Sequence, residues 1–134
     1  MVAGLSINED QGRLKQILAM VGLVGESPAF LRALEKFELI ANGDGPTQLT
    51  GETGTGKDLV ARGIHLHGPR AAKELIAINC ATLPDTLLED KLFGHEPGAF
   101  TDARSRRPGC FLLADKGTLF LDEVQAFSSA KAEI

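Results

Sequence analysis

The chain has 134 residues, a formal net charge of −4, 43% hydrophobic and 24% charged residues, and neither Trp nor Tyr. That length supports one domain with its own core and not two comfortable ones. The acidic balance and the scarcity of stacking rings exclude the usual footprints of nucleic-acid binding, so no direct DNA contact by this segment is expected.

Cys80 and Cys110 stand apart, without C-x-x-C spacing or paired histidines, so neither a disulfide framework nor a zinc site is indicated and a reducing, cytoplasmic setting is expected. The apolar run at 17–24 is too short to span a bilayer, and the start lacks the basic segment of a secretory signal. No membrane association is expected.

In residues 1–20, Leu14, Ile17 and Leu18 fall at helical spacing, which suits a linker helix or the end of a missing upstream domain. Ser27 and Pro28 then read as a cap followed by proline at the first helical position. Phe30, Leu31, Leu34, Phe37 and Ala41 supply one apolar face, and the turn cluster Asn42-Gly43-Asp44-Gly45-Pro46 ends that helix. Residues 47–50 read as a short strand, leading into Gly51-Glu52-Thr53-Gly54-Thr55-Gly56-Lys57-Asp58.

This stretch fits the Walker A frame G-x-x-x-x-G-K, in which glycines let backbone N–H groups curl around a phosphate and the lysine neutralises it. Asp58 stands where the generic pattern has a Ser or Thr that holds Mg²⁺. Leu59, Val60 and Ile64 mark a helix after the loop, so the loop opens onto a helix N-terminus whose dipole favours an anion. The bland alternative is a glycine-rich turn that binds nothing. The helix is stopped by Gly68-Pro69, and His65 and His67, two apart, are expected to be surface or satisfied histidines rather than metal ligands.

Residues 74–80 form a nearly continuous β-prone run suited to a strand buried on both faces, with Asn79 at its carboxyl end, where ligands of open α/β sheets gather. A helix is expected over 82–92, with Leu83, Leu87, Leu88 and Leu92 along one side. Residues 93–103 show no period and carry Phe93 and Phe100; these rings either tuck into the core or serve a loop that presents an aromatic residue to a partner. Arg104, Arg106 and Arg107 read as a solvated basic turn, and 109–114 as a short helix. Residues 117–123 are an apolar strand ending in Asp122 and Glu123. This is the Walker B arrangement, with the first carboxylate placed for Mg²⁺ and the second for activating a water. The whole pattern predicts a three-layer α/β fold whose parallel sheet joins the strands at 47–50, 74–80 and 117–122.

With both motifs placed, residues 24–124 resemble the AAA+ ATPase domain of bacterial enhancer-binding proteins, the activators of sigma-54 RNA polymerase. The resemblance rests on Val24-Gly25-Glu26-Ser27-Pro28, the loop from Gly51 to Asp58, Asn79-Cys80-Ala81, Leu92-Phe93-Gly94-His95-Glu96, Gly98-Ala99-Phe100-Thr101 and the segment from Ala114 to Glu123. It implies a P-loop NTPase fold, incomplete at the C-terminus, over residues 21–134, with ATP and Mg²⁺ as cofactors. In that family an acid commonly follows the Walker lysine, so Asp58 fits. The resemblance further implies that Val24 and Gly25 lie near the adenine, that Asn79 restrains the catalytic Glu123, and that the chains assemble into a ring. Gly98, Ala99, Phe100, Thr101, Asp102 and Ala103 correspond to the sigma-contacting loop.

Two departures shape the expectations. Asp102 stands where the family has a second glycine, adding strain and negative charge at the partner loop, and Gln125 and Ala126 replace the usual Gly and acid after Glu123. The chain ends at Ile134, short of the family's arginine finger and helical lid, so by itself it is expected to hydrolyse ATP negligibly. The leading reading is the ATP-binding part of a sigma-54-type transcriptional regulator. The alternative is a nucleotide-binding or interaction module that neither hydrolyses ATP nor activates the polymerase. A different AAA+ branch, such as a loader or chelatase motor, is disfavoured by the Gly-Ala-Phe-Thr loop.

Overall fold

Two units, Met1–Ala72 and Lys73–Ile134, make up the computed structural model, which describes residues 7–20, 22, 25, 27–52, 54, 56–98, 101 and 105–126. The first unit is helical: α1 (Ile7–Met20), α2 (Pro28–Ala41) and α3 (Lys57–His67). Leu14 and Leu18, one helical turn apart, are buried with Phe37 and Ala41, and Val60 and Ile64 of α3 pack against them. Gly63 permits this approach, because a Cβ there would lie 2.9 Å from Leu18 Cδ2 and 3.0 Å from Phe37 Cζ. Asn42 ends α2, with both its backbone N–H and its side-chain Nδ2 donating to Glu38 O at 3.1 Å.

One expectation fails in this unit. Residues 47–50 form no strand; Pro46 lacks an N–H, and Thr47, Gln48 and Thr50 are exposed polar residues with little apolar surface to bury. The histidines, expected to be surface or satisfied residues, are both drawn inward. His65 is buried, and His67 is half-buried with its ring tilted against Phe37 at 6.4 Å between centroids.

The second unit is α/β. Its elements are β1 (Leu75–Asn79), α4 (Asp85–Phe93), β2 (Gly94–His95), β3 (Arg107–Pro108), α5 (Cys110–Leu113), β4 (Thr118–Asp122) and a 3₁₀ turn at Val124–Ala126. β1 and β4 pair in parallel, from Leu75 opposite Thr118 to Asn79 opposite Asp122, as the apolar runs predicted. The ladder is prolonged by Thr118 N–H to Glu74 O and Cys80 N–H to Asp122 O, both at 2.9 Å. β2 and β3 form a short antiparallel ribbon. Ile78, Cys80, Leu88, Leu92 and Cys110 make the core, with Ile76, Leu83, Leu119 and Leu121 against it.

α4 begins three residues later than the spacing suggested. Proline disfavours helical angles in the residue before it, Leu83, and Thr82 instead folds back, its hydroxyl donating to Asn79 O at 2.9 Å. β1 is also less enclosed than a strand buried on both faces, since Ala77 and Asn79 are exposed. Leu87 is 56% exposed whereas its neighbour Leu88 is 0% exposed, so Leu87 does not share the buried stripe. Leu88→Ala should therefore destabilise this unit by about 2–5 kcal/mol and Leu87→Ala by well under ~1 kcal/mol, measured by urea unfolding followed by far-UV circular dichroism.

Candidate functional site

The first unit carries the phosphate-type loop. Gly54 (φ 81°) and Gly56 (φ 84°, ψ 25°) both sit in the left-handed region, where a side chain costs about 1–2 kcal/mol, so the glycines of the motif are required by the turn they make. Gly56 is also the N-cap of α3, and its carbonyl accepts from Val60 N–H at 3.0 Å. Lys57 is the first residue of the helix and arches back across the loop, its ammonium donating to Gly51 O at 2.7 Å and Glu52 O at 2.9 Å. Asp58 is exposed in the first turn, where an acid interacts favourably with the helix dipole. Gly25 is half-buried, while Val24, Thr53 and Thr55 lie outside the described residues.

The second unit carries the acids. The β1–β4 register sets Asn79 level with Asp122, so the carboxyl ends of both strands open at one edge. Asp122 Oδ1 accepts the N–H of Glu123 at 2.9 Å. Glu123 is in the left-handed region at φ 54°, uncommon for a residue with a side chain. The turn that follows is closed by Ala126 N–H to Glu123 O at 3.0 Å, and Gln125 Nε2 donates to Glu123 Oε2.

Asn79 does not reach this carboxylate. Its Oδ1 accepts from Ala81 N–H at 2.9 Å, and among the described residues no hydrogen bond joins its amide to Glu123. Cys80 is buried beside the strand ends; burial pushes its thiol above the usual range, and the negative charge of Asp122 adds to the rise. It therefore stays a neutral thiol near neutral pH. No group of three or more His, Cys, Asp or Glu suited to a metal occurs among the described residues. A Mg²⁺ ion fits this donor set in the manner of sites that supply one carboxylate and take the remaining ligands from phosphate and water.

Of the expected partner loop, Gly98 (φ 84°) and Thr101 are exposed, and Ala99, Phe100, Asp102 and Ala103 lie outside the described residues. Its base is tied by charge: His95 Nδ1 to Asp90 Oδ1, Arg107 to Asp90 at 4.0 Å, and Arg106 to Glu96 at 3.2 Å. Arg106 and Arg107 are exposed, as expected of a solvated basic segment, and each also lies against an acid at the stem. Arg104 is outside the described residues. Phe93 stays half-exposed, stacked on Phe111 with centroids 5.4 Å apart.

Although Gln125, Cys80 and His95 are named in its motifs, the sequence assigns no role at the site to Gln125, Cys80 or the Asp90–His95 pair. Only the last had a usable signal, an acid and a histidine five apart across a helix end.

The left-handed Glu123 generates a stability expectation. Glu123→Gly should be more stable than Glu123→Ala by about 1 kcal/mol, because glycine removes the strain that alanine keeps; equal melting of the two variants would argue against this backbone geometry.

Comparisons with known proteins show the family of the chain. The model of the sigma-54 interaction domain matches residues 23–133. The Nif-specific regulatory protein of Bradyrhizobium diazoefficiens is 51% identical over 116 residues, which is 87% of this chain and 20% of that protein. The transcriptional regulatory protein ZraR of Escherichia coli K12 is 52% identical over 103 residues, 77% of this chain and 23% of ZraR. Crystal structures of NtrX from Brucella abortus superpose with TM-scores of 0.73 in complex with ADP and 0.71 in complex with ATP, each at 30% identity; the matches cover 95% and 92% of this chain and 28% of the NtrX chain. The chain thus spans about a fifth to a quarter of the length of the curated relatives it matches. With the parallel strands, the glycine loop and the terminal acids in place, this chain belongs to the sigma-54 interaction domain family.

Proposed function

We propose that the chain is the ATP-binding part of a sigma-54-type transcriptional regulator. The observation that carries this reading is the loop of residues 51–58, where two left-handed glycines and Lys57 lead directly into α3. Backbone N–H groups at such a helix start and the lysine ammonium recognise the β and γ phosphates of a nucleotide. The ADP and ATP complexes of NtrX support the choice of adenine nucleotide.

In this reading Lys57 exchanges its bonds to Gly51 O and Glu52 O for phosphate oxygens, which sets its contribution as a difference between two charged hydrogen-bond sets. Asp122 is the carboxylate for Mg²⁺, with Oδ1 oriented by the Glu123 N–H. When bound, Mg²⁺ supplies charge neutralisation at the transferring phosphoryl group. Glu123 orients and polarises the attacking water. Val24 and Gly25 lie near the base, and Gly98, Ala99, Phe100, Thr101, Asp102 and Ala103 form the contact to sigma-54 polymerase, weakened by the charge of Asp102. In the complete regulators, subunits assemble in a ring in the bacterial cytoplasm and couple hydrolysis to remodelling of the polymerase. This segment makes no direct DNA contact, consistent with its charge of −4; no helix among the described residues is long and apolar enough to cross a membrane.

Titration with a fluorescent ATP analogue tests the assignment. Lys57→Ala should weaken binding at least about tenfold, equivalent to ~1.4 kcal/mol, while Glu123→Gln binds as the parent does. Equal loss in both variants would show that the two roles are wrongly assigned. Phosphate release measured against Glu123→Gln as the blank tests hydrolysis. A rate above the blank supports the ATPase, and a rate equal to it is the result expected of this chain by itself.

A further inference from the structure

Gln125 occupies a position that neither motif assigns, and its amide faces the carboxylate at the end of β4. We infer that Gln125 is a positioning residue for Glu123, holding Oε2 of the carboxylate through Nε2 so that Oε1 is presented to water. The inference rests on the assignment of Glu123 as the water-polarising residue.

Three observations converge on it. Glu123 leaves β4 with φ 54°, its N–H bonded to Asp122 Oδ1 at 2.9 Å, so the backbone beneath the side chain is fixed. The 3₁₀ turn Val124–Ala126, closed by Ala126 N–H to Glu123 O at 3.0 Å, curls the chain back and sets residue 125 beside residue 123. Gln125 Nε2 then donates to Glu123 Oε2. A carboxylate oxygen can only accept, so the amide must present its nitrogen, and the bond is of the stronger, charge-assisted kind. Asn79 accepts Ala81 N–H through Oδ1, and among the described residues its Nδ2 makes no hydrogen bond to Glu123. In this chain the side-chain amide bonded to the Glu123 carboxylate is that of Gln125. Neither hydrogen bonding nor a short side chain at residue 125 would be needed for the turn itself, which is closed by backbone groups.

The test is nuclear magnetic resonance of the 134-residue chain, without nucleotide, reading the Gln125 side-chain amide and the Glu123 Cδ carbon. The Gln125 Hε protons should be displaced from those of unbonded glutamines and return to that position in Glu123→Ala. The Glu123 Cδ resonance should move in Gln125→Ala and recover partly in Gln125→Lys, which restores a donor, while the backbone amides of β1 and β4 stay in place in all three variants. A Gln125 amide at the unbonded position and indifferent to Glu123→Ala overturns the inference. So does a Glu123 Cδ that responds to Asn79→Ala and not to Gln125→Ala, which would return the restraint to Asn79. Because no nucleotide is present, either result leaves the assignment of Lys57 and the loop to be judged separately by the binding titration.

Discussion

The parallel register of β1 against β4 is the constraint on which the second unit depends. Side chains alternate faces along a strand, so a slip of one residue would send Ile78 out of the core and separate Asn79 from Asp122. The core residues Leu88, Leu92 and Cys110 close over one face of this pair, and the bonds from Thr118 to Glu74 and from Cys80 to Asp122 lock both ends. The same pairing that buries the apolar side chains therefore fixes the height at which the acids emerge. Packing and chemistry are set by one register.

At the end of β4 the balance of small terms can be followed. A left-handed Glu123 costs about 1–2 kcal/mol. The bonds from Glu123 N–H to Asp122 Oδ1 and from Ala126 N–H to Glu123 O each return about 0.5–1.5 kcal/mol. These two terms offset the strain without relying on the Gln125 contact, so the backbone turn and the orientation of the carboxylate are separable features. The strained position also explains why the acid stands clear of the sheet, because an extended residue would continue along the strand axis.

Legibility in the sequence followed apolar content and special backbone angles. The β1 and β4 runs and the α3 helix are readable because burial demands a pattern, and Gly54 and Gly56 because a left-handed turn demands glycine; the register that sets Asn79 beside Asp122 is not. Residues 47–50 misled because a strand was inferred from the loop that follows rather than from the segment's own polar residues. The start of α4 falls later than the leucine spacing suggests because Pro84, with φ −56° and ψ 152°, is the cap and leaves Leu83 outside the helix. The pairing of Gln125 with Glu123 depends on a side chain crossing a turn, and no periodicity encodes that. Asp90 and His95 meet only because β2 follows α4 without a linker.

Gly94 and Gly109 face one another where the ribbon joins the core. A Cβ on Gly94 would strike the backbone of residues 107–109, and one on Gly109 would strike that of residues 92–94; Gly94 also has φ 70°. The two chain segments are thus clipped together backbone to backbone, beneath the Asp90, His95 and Arg107 contacts. A clip of this kind holds the two segments together by backbone contact alone, so drift in length or composition of the sequence between them need not propagate into the packing below. A substitution between the two glycines, such as Asp102 in place of a glycine, need not rebuild the module that carries it.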